Sequence, residues 1–262
     1  MNSLKASIMT VFLLCLVSCA SHGPRSYYTL RWMESPNKST FKDIDPDNLS
    51  KFEMIQDYHP DMGEAKYKKS VAMIQEGDVL AYYLHKWFAR KKIVLGQLNK
   101  AGYRILKYGH LAIVVKDPSD AKKLKIFSAQ AFKGPNTDDD LSSLKSHAFH
   151  LYRLDKHKQL NFSKIDEFVV HCQKKAKKWY GYDFSGMFGL WNSKLDPKKP
   201  EDIGHDYICS TVVLAAFQYS GLKLNAVHRK GFLDLITPNQ VLLSQGYFTE
   251  QEKLEVKAES HE

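Results

Sequence analysis

Apolar positions along this chain follow two rhythms. In one, short runs are apolar on both faces; in the other, apolar residues recur every three or four positions. GDVLAYYL (77–84) and GHLAIVV (109–115) show the first rhythm. Short, β-branched apolar runs of this kind predict buried strands. The turn signal KDPSD closes the second run, and LKIFSAQAF (124–132) follows as its expected antiparallel partner. HAFHLYRL (147–154) alternates and reads as a further strand, while KGPNTDDD before it reads as a loop. Helical spacing covers 62–76, halted by Gly77, and 163–179, where Ser163 or Asn161 is placed to cap. Residues 86–102 read as helical or irregular, ending at Gly102. TVVLAAF (211–217) has too few polar positions for a surface helix, so a buried helix is expected, with a turn near Gly221. Thr237 and Pro238 open a last helix over 237–245. The sum predicts an α+β fold, a small and mainly antiparallel sheet packed with helices.

The flanks read differently. Residues 19–60 are polar and lack sustained periodicity, as expected of a tether or wrapping segment, and 250–262 form a charged tail. The folded domain is therefore expected over 61–249. At the start, one charge (Lys5) precedes an apolar stretch over 8–17, too short to span a membrane and built like a signal peptide. It ends in Leu16-Val17-Ser18-Cys19, which resembles the bacterial lipobox. That resemblance implies removal of 1–18 and acylation of Cys19 by diacylglycerol and an N-linked chain such as palmitate. Several chains together give lasting membrane attachment. The alternative is a plain secretory peptide cut near Ala20. Ala20 is not the aspartate that retains enteric-type lipoproteins in the inner membrane, so the expected location is the outer membrane, facing the periplasm.

Composition narrows the function classes. With 262 residues, 44% of them hydrophobic, the chain suffices for one large domain or two small ones. The formal net charge of +9 suits nucleic acid, an anionic membrane surface or a polyanionic wall. The lysines gather in KKAKK (174–178) and DPKKPED (196–202), which read as a solvated helix face and a loop. Without an arginine stripe, an RNA-binding aromatic motif or a helix-turn-helix pattern, a nucleic-acid partner is not expected. Of the four cysteines, Cys15 leaves with the signal and Cys19 carries lipid. Cys172, spaced with Phe168 and Trp179, reads as core packing; a disulfide to Cys209 is the alternative for a periplasmic protein.

Cys209 is the candidate nucleophile. It lies in HDYICSTVVLAAF (205–217), at the mouth of the buried helix. Asp206, three residues earlier, is placed to cap, leaving the thiol in the first turn, where free N–H groups and the helix dipole favour thiolate. The same N–H groups suit half of an oxyanion hole. Among 11 histidines, His110 stands out as a polar residue opening the most apolar strand. A satisfied core histidine is the plain alternative. His205, one turn before Cys209, is the rival base; with Cys209 it has the i,i+4 spacing of a metal pair, but no third ligand accompanies it. No cofactor or metal is expected.

The order GDVL, GHLAIVV, a following strand, YDF, YICSTVV and TPNQVLLS resembles the YaeF/YiiX-like permuted papain-fold amidases, circularly permuted relatives of the NlpC-type cell-wall peptidases. The resemblance spans about residues 70–245. It implies a permuted papain-like fold with Cys209 as nucleophile and His110 as base. It also implies that Gly77-Asp78 opens the first core strand and that Tyr182-Asp183-Phe184 lies near the cleft. The family carries a glutamate on the strand after the histidine strand. Here Ser128 takes that position, with Gln130 two residues on and on the same face. Of the two, the Gln130 amide is chemically the better third member, as papain-like proteases tolerate a neutral amide there. Three activities fit: amide hydrolysis in a peptide, amino-acid conjugate or wall stem; a lipid acyl hydrolase or acyltransferase, which the aromatic MFGLW (187–191) would suit; or an envelope lipoprotein that has lost turnover. No oligomeric state follows from the sequence.

If Cys19 is acylated, the wild-type protein partitions into the detergent phase of a cloud-point separation, and Cys19→Ala leaves it unprocessed or in the aqueous phase. Aqueous partitioning of the wild type rules the anchor out.

Overall fold

The structure is a computed structural model and describes residues 52–85, 90, 107–131, 133–175, 182, 197–204, 207–222 and 238–243. Six strands form one sheet: β1 (Phe52–Tyr58), β2 (Val79–Tyr83), β3 (Tyr108–Asp117), β4 (Asp120–Gln130), β5 (Gly134–Asp140) and β6 (Phe149–Leu154). Their spatial order is β1-β6-β2-β3-β4-β5, and every neighbouring pair is antiparallel. Among the described residues four α-helices accompany them: α1 (Gly63–Ala72), α2 (Phe162–Lys175), α3 (Cys209–Tyr219) and α4 (Pro238–Leu243).

The doubly apolar runs are explained by a sheet covered on both faces. Val79, Ala81, Leu111, Ile113, Val115, Phe127 and Ala129 face one core, shared with α2, α3 and α4. Leu80, Ala112, Val114, Ile126, Phe149 and Leu151 face another, where Tyr67 and Val71 of α1 pack. Helix α3 is buried nearly throughout, as its composition predicts. Asn161 caps α2: its Oδ1 accepts from the Lys164 N–H at 3.2 Å and from the Ser163 hydroxyl at 2.8 Å. Trp179 lies outside the described residues. Cys172 is buried beside Phe168 in the helix-covered core, and no disulfide joins it to Cys209.

Two expectations are corrected. The tether reading of 19–60 fails from residue 52, where β1 pairs along β6 as an edge strand. A bulge between Met54 and Gln56 changes its parity, so Phe52 and Met54 serve one core while Ile55 and Tyr58 serve the other. That break removes the period-2 signal. The loop reading of KGPNTDDD also fails, because GPNTDDD is strand β5. Gly, Pro, Asn and Asp are depleted from strands in general, yet an edge position tolerates them and hydrogen bonds to β4 hold them in place.

Asp78, which immediately precedes β2, is fully buried and ion-paired to Arg153 of β6. Its carboxylate accepts from Arg153 Nε at 2.7 Å, from Arg153 Nη2 at 2.8 Å and from the Gln75 N–H at 2.8 Å. Arg153 Nη2 also donates to the Met73 carbonyl at 2.9 Å, so one fork ties the α1–β2 connection to the sheet. Removing one partner of such a pair strands the other charge. Arg153→Ala is expected to lower stability by about 3–5 kcal/mol, the range for breaking a buried pair, read from urea denaturation. A loss below about 1 kcal/mol, the worth of an exposed pair, would contradict the role assigned to the fork.

Candidate active site

The hydrogen-bond parity of β3 sets up the site. Val114 exchanges both backbone bonds with the β2 side, donating to the Asp78 carbonyl at 2.8 Å and accepting from the Gly77 N–H at 2.7 Å. Alternate residues of an antiparallel strand therefore turn their N–H and C=O the other way, toward β4. Ile113 and Val115 do so and pair with Phe127 and Lys125. Leu111 has the same parity. Its N–H bears on the thiol of Cys209 and favours the ionised form.

Cys209 is the first residue of α3 and only 6% exposed. The N-cap is Ile208, an extended residue whose side chain offers no acceptor. Asp206, the expected cap, is therefore not at the cap position; it lies outside the described residues, as does His205. Thr211 supports the start instead, its hydroxyl oxygen accepting from the Ile208 N–H at 3.0 Å. This is the side-chain-to-cap half of a capping box. The N–H groups of Ser210 and of Cys209 itself join that of Leu111 at the sulfur. Burial pushes the thiol up, and these three donors pull it down by less. The resting group is the neutral thiol.

His110 follows Gly109, where β3 carries an extra residue against β2: Tyr82 faces His110 and Tyr83 faces Tyr108. Gly109 is needed there, since a Cβ would stand 2.9 Å from the Leu84 Cα. The bulge lets Tyr108 and Leu111 share the α3 face while His110 takes the parity of Ala112 and Val114. The imidazole lies 5.7 Å from the Tyr82 ring, half-buried. Burial drives it down to about 4; the charge of Asp139 opposes this and His147 adds to it. His110 is thus neutral near pH 7, the state a base requires. Among the described residues no hydrogen bond joins the thiol to an imidazole.

Ser128 and Gln130 share the parity of Ile126, hence the His110 face. The β3–β4 pairing ends at Ile113 with Phe127, so Ser128 and Gln130 lie beyond the last paired residues. Gln130 donates from Nε2 to Asp139 Oδ2 at 2.7 Å. Tyr182 forms a parallel bridge with Tyr207, two residues before Cys209, which brings it to the segment leading into the thiol. Asp183, Phe184 and 187–191 lie outside the described residues.

One polar group was not singled out in the sequence. His150 of β6 is buried on the α3 face, with Nε2 2.6 Å from the Tyr83 hydroxyl and Nδ1 at the Tyr108 hydroxyl. Tyr108 in turn meets the Tyr152 hydroxyl at 2.8 Å. Burial, with nearby Lys107, holds His150 well below the usual histidine range. The alternation of HAFHLYRL puts His150 on one face with Tyr152, a signal that was legible, whereas its tyrosine partners on other strands were not.

Among the described residues, no cluster of three His, Cys, Asp or Glu side chains is arranged to hold a metal ion, and no helix is long and apolar enough to cross a membrane. No family model, no curated protein and no solved structure matches the chain.

Because burial outweighs the three donors, alkylation of Cys209 by iodoacetamide should climb about tenfold per pH unit and continue past pH 8, following the thiolate fraction. Peptide mass spectrometry reads it. A rate already level between pH 6 and pH 7 would show a preformed thiolate and overturn the assignment.

Proposed function

We propose that this protein is a cysteine-dependent hydrolase of the amidase or peptidase type, built on a circularly permuted papain-like arrangement. The observation that carries the reading is the thiol itself. Cys209 begins a buried helix, and the N–H groups of Leu111, Ser210 and Cys209 itself bear on its sulfur. The chain order also supports it: a strand opening on Gly109-His110, a following strand bearing Ser128 and Gln130, then the cysteine helix.

The chemistry follows from these groups. His110, neutral at rest, takes the thiol proton as the sulfur attacks the carbonyl carbon of an amide. The carbonyl oxygen becomes an oxyanion, held by N–H donors gathered at the sulfur. The imidazolium returns its proton to the leaving amine, which departs and leaves a thioester on Cys209. Water, deprotonated by the same imidazole, cleaves the thioester and restores the thiol. His110 has the parity of the sheet face opposite α3, so in this reading its imidazole reaches the thiol past the point where β3 and β4 stop pairing. With Cys19 acylated, this site works at the outer membrane on the periplasmic side, on a peptide, an amino-acid conjugate or a wall stem.

Incubating the protein with extracts of wall peptides and, separately, of lipids tests the reading by intact mass. An acyl adduct on Cys209 from the peptide arm supports it, and an adduct from the lipid arm alone replaces it with an acyl-lipid activity. His110→Ala should slow adduct formation about 10²–10⁴-fold, the usual contribution of a positioned base, while circular dichroism stays native. An unchanged rate would move the base to His205.

A further inference from the structure

Apart from the thiol and His110, the sheet buries another titratable group on the face covered by α3. His150 of β6 is 7% exposed, and a hydroxyl meets each of its ring nitrogens: Tyr83 of β2 at Nε2, 2.6 Å away, and Tyr108 of β3 at Nδ1. The Tyr108 hydroxyl also meets that of Tyr152 at 2.8 Å. The chain Tyr83–His150–Tyr108–Tyr152 thus joins β2, β3 and β6 through one imidazole. A neutral ring serves such a chain, donating from one nitrogen and accepting at the other. The surroundings hold no anion against the ring. Lys107, itself buried, lies just before β3 with Nζ 5.0 Å from the centre of the Tyr108 ring. Asp57 of β1 stands opposite His150 by register, but it is exposed and its carboxylate lies 3.6 Å from the Lys66 ammonium. Helices α3 and α4, which share this core, contain no charged residue. Among the described residues no carboxylate is hydrogen-bonded to the ring.

We propose that this cluster is an acid-sensitive lock: β2, β3 and β6 close around a neutral His150, and uptake of one proton there weakens the closure. An imidazolium inside the cluster loses its hydration, gains no anion and sits near Lys107. Burial first, and Lys107 second, hold His150 well below the usual histidine range, in line with this geometry. The unfolded chain takes up the proton around pH 6.5, the ordinary histidine value, and the folded chain only at lower pH. Stability is therefore full above about pH 6.5 and falls as pH drops from there toward the folded value. The lock does not rest on the hydrolase reading, since it involves neither Cys209 nor His110.

Urea denaturation of the full-length wild type and of His150→Gln, at pH 6 and at pH 5, gives the test. Glutamine keeps a donor and an acceptor but takes up no proton. Between the two pH values the unfolding constant of the wild type should rise about tenfold more than that of the variant, the effect of one proton over one pH unit. His110 is buried too and contributes alike to both proteins, so the difference between them isolates His150. Equal pH dependence in the two proteins overturns the lock. If His150→Gln fails to fold, the wild type alone decides, from imidazole proton–nitrogen spectra in which His150 is recognised by its contacts with the Tyr83 and Tyr108 rings. Its signals should remain those of a neutral ring at pH 6, and a charged ring there overturns the proposal.

Discussion

One backbone N–H governs the arrangement. By parity, Leu111 should donate to a carbonyl of β4, as Ile113 and Val115 are placed to do. It is turned to the Cys209 thiol instead. A buried donor needs a partner, and the thiol of Cys209 lies beside this one where the β3–β4 pairing ends. The apolar body of α3, from Val212 to Phe217, anchors the helix in the core of one sheet face. Packing thereby fixes where the thiol sits. His110, one residue from Leu111, and Gln130, past the last paired residues of β4, flank the opening from the other face.

Burial sets the chemical state of each group. It raises the thiol and lowers both His110 and His150, so all three are neutral at rest. A neutral thiol beside a neutral imidazole stores no charge in the interior. Charge would appear only when a proton moves, and the N–H groups beside the sulfur are placed to meet it.

Much of this was legible in the sequence, for physical reasons. β3 was visible because a strand buried on both faces must be apolar throughout, and α3 because a helix with no polar stripe has no solvent face. Cys209 and His110 stood out against those same backgrounds. The edge strands were hidden. A bulge erased the alternation of β1, and the acid-rich composition of β5 matches turns better than strands. The Gln130–Asp139 hydrogen bond was not legible without β5, the strand that brings Asp139 beside Gln130. The cap falls at Ile208 and not at Asp206, and Thr211, the third helical residue, accepts from the Ile208 N–H, the reciprocal half of a capping box.

The composition that hid β5 also determines how copies of this chain meet. Among the described residues the six-stranded sheet has two borders without a paired neighbour, β1 and β5. Indefinite stacking of sheets requires the β1 border of one molecule to accept the β5 border of the next. Asp138, Asp139 and Asp140 line the latter, partly matched by Lys133 and Lys125. An incoming strand would have to desolvate these carboxylates along its path. The acidic border thus resists filament growth at crowded surfaces, at the cost of a strand that contributes little apolar packing of its own.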